Sequence, residues 1–308
     1  MEGIDNLGGT CAINSLLQII IRNDKLRSVI LNLNPPENSF TSELKEIINL
    51  IHNQKKSIRP VKFIDIFFKT FQGIFRRNEE IDINELWLFV YNKIFDETSY
   101  PSTIPSSKHE YDIFIYNNKK TSHLTSIVQG SYINIIECSC CKYKSYLFEP
   151  FISMSLDLVE KETIANLIIK SLHYEIREAD DWKCDKCLQK CSYIKMKRLW
   201  KLPSVLFISL NRFKDMYHKD NTNIYINDNI KFNSGSVETL DKDCIYSLQS
   251  LGFHYGNLSG GHYTALCNMN DETFNFYNDN DIKTFKKADV YLELKENNTA
   301  YLIVYELS

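Results

Sequence analysis

Two Cys-x-x-Cys pairs, Cys138 with Cys141 and Cys184 with Cys187, constrain this 308-residue chain more than any other feature. A two-residue gap lets a tight turn aim both sulfurs at one ion. Two such turns supply four thiolates, the closed tetrahedral set of a structural zinc site. The interval between the pairs, Tyr143 to Lys183, is longer than in a compact finger, so whatever it folds into must return to where it began. Cys140 and Cys191 stand near enough to leave the choice of ligands open. A zinc-ribbon nucleic-acid module and a set of free thiols are the other uses of such cysteines.

The segments around the pairs predict strands: Ser131–Glu137, Tyr146–Phe151 and Ser192–Leu199 are β-branched or aromatic with partial alternation. Val205–Leu210 and Tyr301–Tyr305 predict buried strands. Ahead of them, from Thr10 to about Phe95, the pattern is mainly helical, with apolar faces in Glu43–Ile51, Val61–Phe75 and Asn84–Phe95. Polar loops fall at Asn32–Ser39 and Ser57–Pro60, and a turn-rich stretch runs over Tyr100–Lys108. Tyr217–Ser236 is polar and Asn-rich, a loop with a strand at Ile224–Ile226. The basic run Lys195, Lys197, Arg198 and Lys201 is interleaved with Met196, Leu199 and Trp200, which predicts a strand with a solvated face.

A formal net charge of -3 gives no global attraction to nucleic acid or to an anionic membrane. Nine cysteines are too sparse for a disulfide scaffold, and the odd number fits a reducing compartment, cytoplasmic or nuclear. The first residues lack a basic segment followed by an apolar one, and apolar runs such as Leu86–Tyr91 are too short to span a bilayer.

Cys11 lies where a glycine-punctuated segment, Gly3 to Thr10, meets an apolar helical stripe of Ile13, Leu16, Leu17, Ile20 and Ile21. A thiol in the first turn of a helix sits among unpaired N–H groups and the positive end of the macrodipole, which favour the nucleophilic thiolate. Five residues upstream, Asn6 is an amide able to donate to an oxyanion.

A nucleophilic thiol needs an imidazole to move protons and a third group to orient that imidazole. His262, in Gly260-Gly261-His262-Tyr263, and His254, in Phe253-His254-Tyr255, are the candidates. His262 is favoured because Tyr277-Asn278-Asp279 follows after a turn-rich gap, Asn268–Thr273. On adjacent antiparallel strands His262 and Asn278 are expected to face each other, with one ring nitrogen on the amide oxygen and the other toward Cys11.

These residues, taken together, resemble the ubiquitin-specific proteases, papain-like deubiquitinases with a cysteine box and a histidine box. The resemblance runs over Gly3–Gln18, the two cysteine pairs with Trp182-Lys183, Leu202-Pro203, Leu210-Asn211-Arg212-Phe213, Tyr246–Ala265, Tyr277-Asn278-Asp279 and Ala300–Tyr305. It implies an α+β papain-like cysteine protease fold in a single catalytic domain. A helical thumb is expected over about 1–100, with 101–203 largely β-rich zinc-binding fingers and 204–308 largely a β-sheet palm. It casts Cys11 as nucleophile, His262 as base, Asn278 as orienter, Asn6 as oxyanion donor and Asp279 as a supporting acid.

Asp82 and Glu85 match family acids that grip arginines in the ubiquitin tail, and their spacing places both on one helical face. Tyr263 and His254 are assigned to the same tail channel, which admits only Gly-Gly. Gly9 and Ala12 depart from the family's usual asparagine and aromatic, and Ile81 from its glutamine. The implied cofactor is structural zinc. The implied partners are ubiquitin and ubiquitinated proteins, with no nucleic acid and no membrane, and the expected state is a monomer. Alternative readings are an inactive ubiquitin-binding scaffold and a protease for another modifier ending in Gly-Gly.

Overall fold

The computed structural model describes residues 3–53, 57–172, 174–177, 182–213, 218–237, 239–257, 260–269 and 272–308. Tyr217 of the expected loop, Ser259 beside the histidine motif and residues 270–271 of the expected turn lie outside these ranges.

Five helices come first: α1 (Cys11–Arg22), α2 (Asp24–Asn32), α3 (Phe40–Asn53), α4 (Val61–Thr70) and α5 (Ile83–Thr98). Every residue of α1 from Cys11 to Ile21 is buried, the pattern of a helix enclosed on all sides. It packs against α2, α3 and α5 and against the large sheet. The expected helix Val61–Phe75 stops at Thr70, because Gly73 turns the chain with φ 86° although the apolar spacing continues. Phe67, Phe71 and Phe75 still pack together there, with Phe40 against the first two and Phe89 against the last two.

A short strand pair, β1 (Tyr100–Pro101) with β2 (Lys120–Thr121), brackets α6 (Lys108–Tyr116), and α7 (His123–Val128) follows. The smaller sheet is antiparallel, in the order β4 (Lys144–Phe151), β3 (Gly130–Cys138), β7 (Tyr193–Lys201), β6 (Tyr174–Arg177). Between its strands the chain makes β5 (Met154–Leu156) and α8 (Ile164–Ser171), both of which belong with the larger sheet.

The remaining elements are β8 (Val205–Leu210), β9 (Asn229–Phe232), β10 (Cys244–Asn257), β11 (Gly260–Asn268), β12 (Thr273–Asn278), β13 (Asp281–Lys286), α9 (Lys287–Glu293) and β14 (Ala300–Leu307). Their sheet runs β13-β12-β11-β10-β14-β8-β5, with β9 also paired to β10. Ile224–Ile226 is not a strand: Ile224 bridges Asn297 while Tyr225 bridges Thr163, so two different partners prevent a common ladder.

Alternation explains why β8 and β14 read as fully apolar. Val205, Phe207, Leu302 and Val304 face the core shared with the helices, while Leu206, Ile208, Ile303 and Tyr305 face a second core closed by α8 and α9. Trp87 of α5 stacks on Phe207 with ring centroids 4.2 Å apart, tying helical lobe to sheet. Burying aromatic and aliphatic side chains at about 1.5–3 kcal/mol each fixes α1 against the sheet, and so fixes Cys11. Among the described residues no helix is long and apolar enough to cross a membrane.

Candidate active site

The N-terminus of α1 meets the start of β11 and the end of β12. Cys11 opens the helix with Thr10 as its N-cap residue, and the sulfur-bearing side chain is 95% buried, being 5% exposed. His262 Nε2 bonds to Asn278 Oδ1 at 2.6 Å, and the ring is also hydrogen-bonded to Cys11, which leaves Nδ1 for the sulfur. That Cys11 bond, assisted by Asn278 and the charge of Asp279 and opposed by burial, raises the His262 pKa to about 9. Such a shift favours the imidazolium form of His262.

The pairing differs in register from direct opposition. Ala265 pairs with Tyr277, and β12 ends at Asn278, so Asn278 reaches His262 from a diagonal position. The chain then turns at Asp279, whose φ of 54° lies in the left-handed region. That turn aims the Asp279 carboxylate at the cysteine loop. Its Oδ1 accepts from Asn14 Nδ2 at 2.7 Å and its Oδ2 from Asn6 Nδ2 at 3.0 Å, with His262 Nε2 4.0 Å away. The Asp279 carbonyl also accepts from the Ile4 N–H at 3.0 Å. Asn6 is pinned from its other side, because its Oδ1 accepts from the N–H of Gly8 and from both the N–H and the hydroxyl of Thr10.

Asn14 is the member of this network that sequence reasoning missed. It stands three residues after Cys11, on the same helical face, and is 2% exposed inside an otherwise apolar helix. A buried amide there was the available signal. Gly9, the departure from the family pattern, has φ 63°, and a Cβ on it would lie 3.1 Å from Asn78 Cα. Glycine at this position lets Asn78 close over the loop.

At the far end of the smaller sheet the two cysteine pairs adopt the same turn. In each, the residue after the second cysteine is left-handed (Lys142, φ 59°; Leu188, φ 58°) and its N–H bonds to the first cysteine's carbonyl at 2.9 Å. The four sulfurs lie within 4.8 Å of one another, Cys138 to Cys187 at 3.9 Å and Cys141 to Cys184 at 3.6 Å. Sulfurs about 2.3 Å from a tetrahedral zinc are about 3.8 Å apart, so the donor set fits that ion. Cys140 and Cys191, the two that left the ligand choice open, are joined by a disulfide instead.

A family model described as ubiquitin carboxyl-terminal hydrolase matches residues 2–305. This chain belongs to that family. It is 27% identical over 346 residues to ubiquitin carboxyl-terminal hydrolase 8 of Saccharomyces cerevisiae, covering 100% of this chain and 70% of the relative. Identity to ubiquitin carboxyl-terminal hydrolase 2 of Homo sapiens is 23% over 345 residues, covering 100% of this chain but 55% of the human protein. The fold is similar, with a TM-score of 0.79 at 23% identity, to a chain of the SAGA DUB module Ubp8/Sgf11/Sus1/Sgf73 bound to monoubiquitin, covering 100% of this chain and 69% of that one.

In this hydrolase family member the residues assigned to the tail channel occupy different depths. Asp82 is the N-cap of α5 rather than a position on its face: its Oδ1 accepts from the N–H groups of Asn84 and Glu85, both at 2.8 Å, and its Oδ2 from the Tyr301 hydroxyl. A capping aspartate begins the helix, so the expected shared helical face with Glu85 does not form, although Glu85 is exposed one turn on. Tyr263 is buried and packs between His254 and Tyr301. His254 is 2% exposed and lies beneath Gly261, where a Cβ would come within 2.2 Å of its Nε2. Burial, reinforced by the charges of Lys219 and His262, lowers its pKa to about 4, so the ring is neutral.

Two further contacts tie these elements together. Glu80, just before α5, accepts from the Gly261 N–H at 3.2 Å and so spans from helical lobe to sheet. Arg212, fully buried, donates to the carbonyls of Ala300, Asp220, Thr222 and Asn297, locking the segment after β8 to the start of β14. Neither partner set is adjacent in sequence. Beside Cys11, His262 and Asn278 a cleft of about 780 Å³ is lined by Asp5, Asn6, Arg59, Arg77, Asn278 and Asp279, among others.

Proposed function

We propose that this chain is an active deubiquitinase that hydrolyses the isopeptide or peptide bond after the C-terminal glycine of ubiquitin. The observation that carries the reading is His262 held between Cys11 and Asn278, with Asp279 bracing Asn6 beside them. The Cys11 thiolate attacks the glycine carbonyl carbon, and the carbonyl electrons move to oxygen. Of the two Asn6 amide hydrogens one goes to Asp279, and the other is left for that oxyanion. The N–H groups at the start of α1 add to it. His262 passes its Nδ1 proton to the leaving lysine amine as the carbon–nitrogen bond breaks. Water then attacks the thioester while the same nitrogen accepts its proton, releasing ubiquitin and restoring Cys11.

Membership of the family and the ubiquitin bound to the related Ubp8 module support ubiquitin as the modifier. In this reading Asp82, Glu85 and Tyr263 line the route of the tail, with His254 backing it from beneath Gly261. Zinc at Cys138, Cys141, Cys184 and Cys187 would serve as a structural clamp with no part in bond cleavage. In this reading the thumb takes about 1–100, the fingers most of 101–203, without Met154–Leu156 and Ile164–Ser171, which join the larger sheet, and the palm most of 204–308, in a monomer of the cytoplasm or nucleus. Hydrolysis of a fluorogenic ubiquitin C-terminal amide tests the proposal: turnover that disappears in Cys11→Ala is expected. A folded wild-type chain that binds ubiquitin without turnover would make it a scaffold.

A further inference from the structure

We propose that Cys140 and Cys191 are a reversible dithiol–disulfide pair, a covalent clasp that joins the same two loops as the metal and makes the tip of the smaller sheet independent of zinc when oxidised. The inference rests on the four-thiolate site and not on any activity of Cys11.

Cys140 lies inside the turn Cys138–Cys141, and Cys191 follows Cys187 by four residues. Their bond, closing a sequence separation of 51, therefore connects the two metal-binding turns and nothing else. The two clasps also touch: Cys138 Sγ belongs to the four-sulfur set and lies within 4.8 Å of both Cys140 Sγ and Cys191 Sγ.

Among the described residues this tip has only a small apolar core of its own. Cys138, Cys184 and Cys191, with Trp182 and Cys187 against them, form a cluster separate from the large cores. The local additions are a Ser139 N–H to Ser192 carbonyl bond at 3.0 Å, the Lys183–Lys190 bridge and the Trp182–Tyr193 ring contact at 4.9 Å. So small an apolar core needs cross-links to stay folded. With the disulfide formed, the loops stay joined whether or not the ion is bound. With it reduced, the ion is the cross-link that remains beside the Ser139–Ser192 hydrogen bond and the end of the β3–β7 ladder.

Exposure sets the order of the chemistry. Cys140 is exposed and Cys191 is buried, so a small disulfide such as oxidised glutathione reaches Cys140 first. The Cys140 thiolate attacks one glutathione sulfur, a Cys140–glutathione bond forms, and one glutathione thiolate leaves. The Cys191 thiolate then attacks the Cys140 sulfur and expels the second glutathione thiolate. Two protein thiols lose two electrons and two protons, and one glutathione disulfide becomes two glutathione molecules. The reverse sequence opens the clasp.

The test uses the zinc-loaded full chain equilibrated across ratios of reduced to oxidised glutathione, with thiols trapped by alkylation and located by peptide mass spectrometry. Cys140 and Cys191 should titrate together, with a single zinc per chain at both extremes. After excess chelator, limited proteolysis within the interval between the pairs should run about tenfold slower in the oxidised form than in the reduced form. Cys140→Ser and Cys191→Ser should each be cleaved at the reduced rate in either buffer. Three results overturn the proposal: both cysteines stay thiols at every ratio, the reduced chain takes up a second zinc, or the wild-type oxidised and reduced forms are cleaved equally fast after chelation.

Discussion

Replacing Asp279 with asparagine isolates the brace behind Asn6, the proposed oxyanion donor. The carboxylate accepts one amide N–H on each oxygen, from Asn14 at 2.7 Å and from Asn6 at 3.0 Å. An amide of the same shape accepts on one atom only and turns a donor toward the other partner. Asn14 is buried and fixed on α1, whereas Asn6 is exposed, so the oxygen stays on Asn14 and Asn6 swings away. Folding loses one charge-assisted bond, about 1.5–3 kcal/mol at most, and less because the lost partner is solvated.

On the proposed mechanism the transition state would lose an aligned oxyanion donor, about 3 kcal/mol, which is about a hundredfold in kcat with KM nearly unchanged. Steady-state kinetics on a fluorogenic ubiquitin amide would measure both constants for Asp279→Asn, Asn6→Ala and the double variant. Because Asp279 acts through Asn6, the double variant should be about as slow as Asn6→Ala alone. Wild-type kcat in Asp279→Asn, or a double variant slowed by the product of the single effects, refutes the brace.

Other consequences are equally direct. Since His262 is raised from 6.5 to about 9, the stabilisation from its pairing is fully present below about pH 6.5 and is lost as pH rises through about 9. Ubiquitin amide hydrolysis should fall through the same alkaline window, and Asp279→Asn should move that limb to lower pH. Gly261→Ala would force a Cβ to within 2.2 Å of His254 Nε2. It should shift the strand carrying His262 and lower kcat more than tenfold, by analogy with small misplacements elsewhere, while circular dichroism stays native. Trp87→Ala removes the stack on Phe207 and should cost about 3–5 kcal/mol in denaturant unfolding.

Local patterns were readable, and beyond the expected meeting of Cys11, His262 and Asn278 most distant pairings were not. Cys11 at a helix start and the two cysteine pairs are short-range signals, and the structure realises them as an N-terminal helical residue and two matching turns. The strands with β-branched and aromatic runs, β3, β4, β7, β8 and β14, were legible for the same reason. Helices α6 to α9 are six to nine residues long and too short for a clear period.

Asp82 shows the limit of spacing arguments: the same Asp-x-x-Glu interval suits a helical face and a helix start, and capping decided it. Asn14, Glu80 and Tyr301 acquire their roles only from partners 265, 181 and 219 residues away, which no periodicity displays. The left-handed turn at Asp279 likewise closes β12 onto β13 and aims the carboxylate at the cysteine loop, yet the sequence neighbours of that aspartate also fit a plain hydrophilic turn.

The central claim is that Cys11 is the nucleophile for a ubiquitin C-terminus. Ubiquitin bearing a thiol-reactive electrophile at its C-terminal glycine, incubated with the full chain and analysed by intact and peptide mass spectrometry, tests this most directly. The account predicts one ubiquitin added per chain, located on Cys11 and absent in Cys11→Ala. An adduct on any other cysteine, or none on a folded wild-type chain, would contradict it.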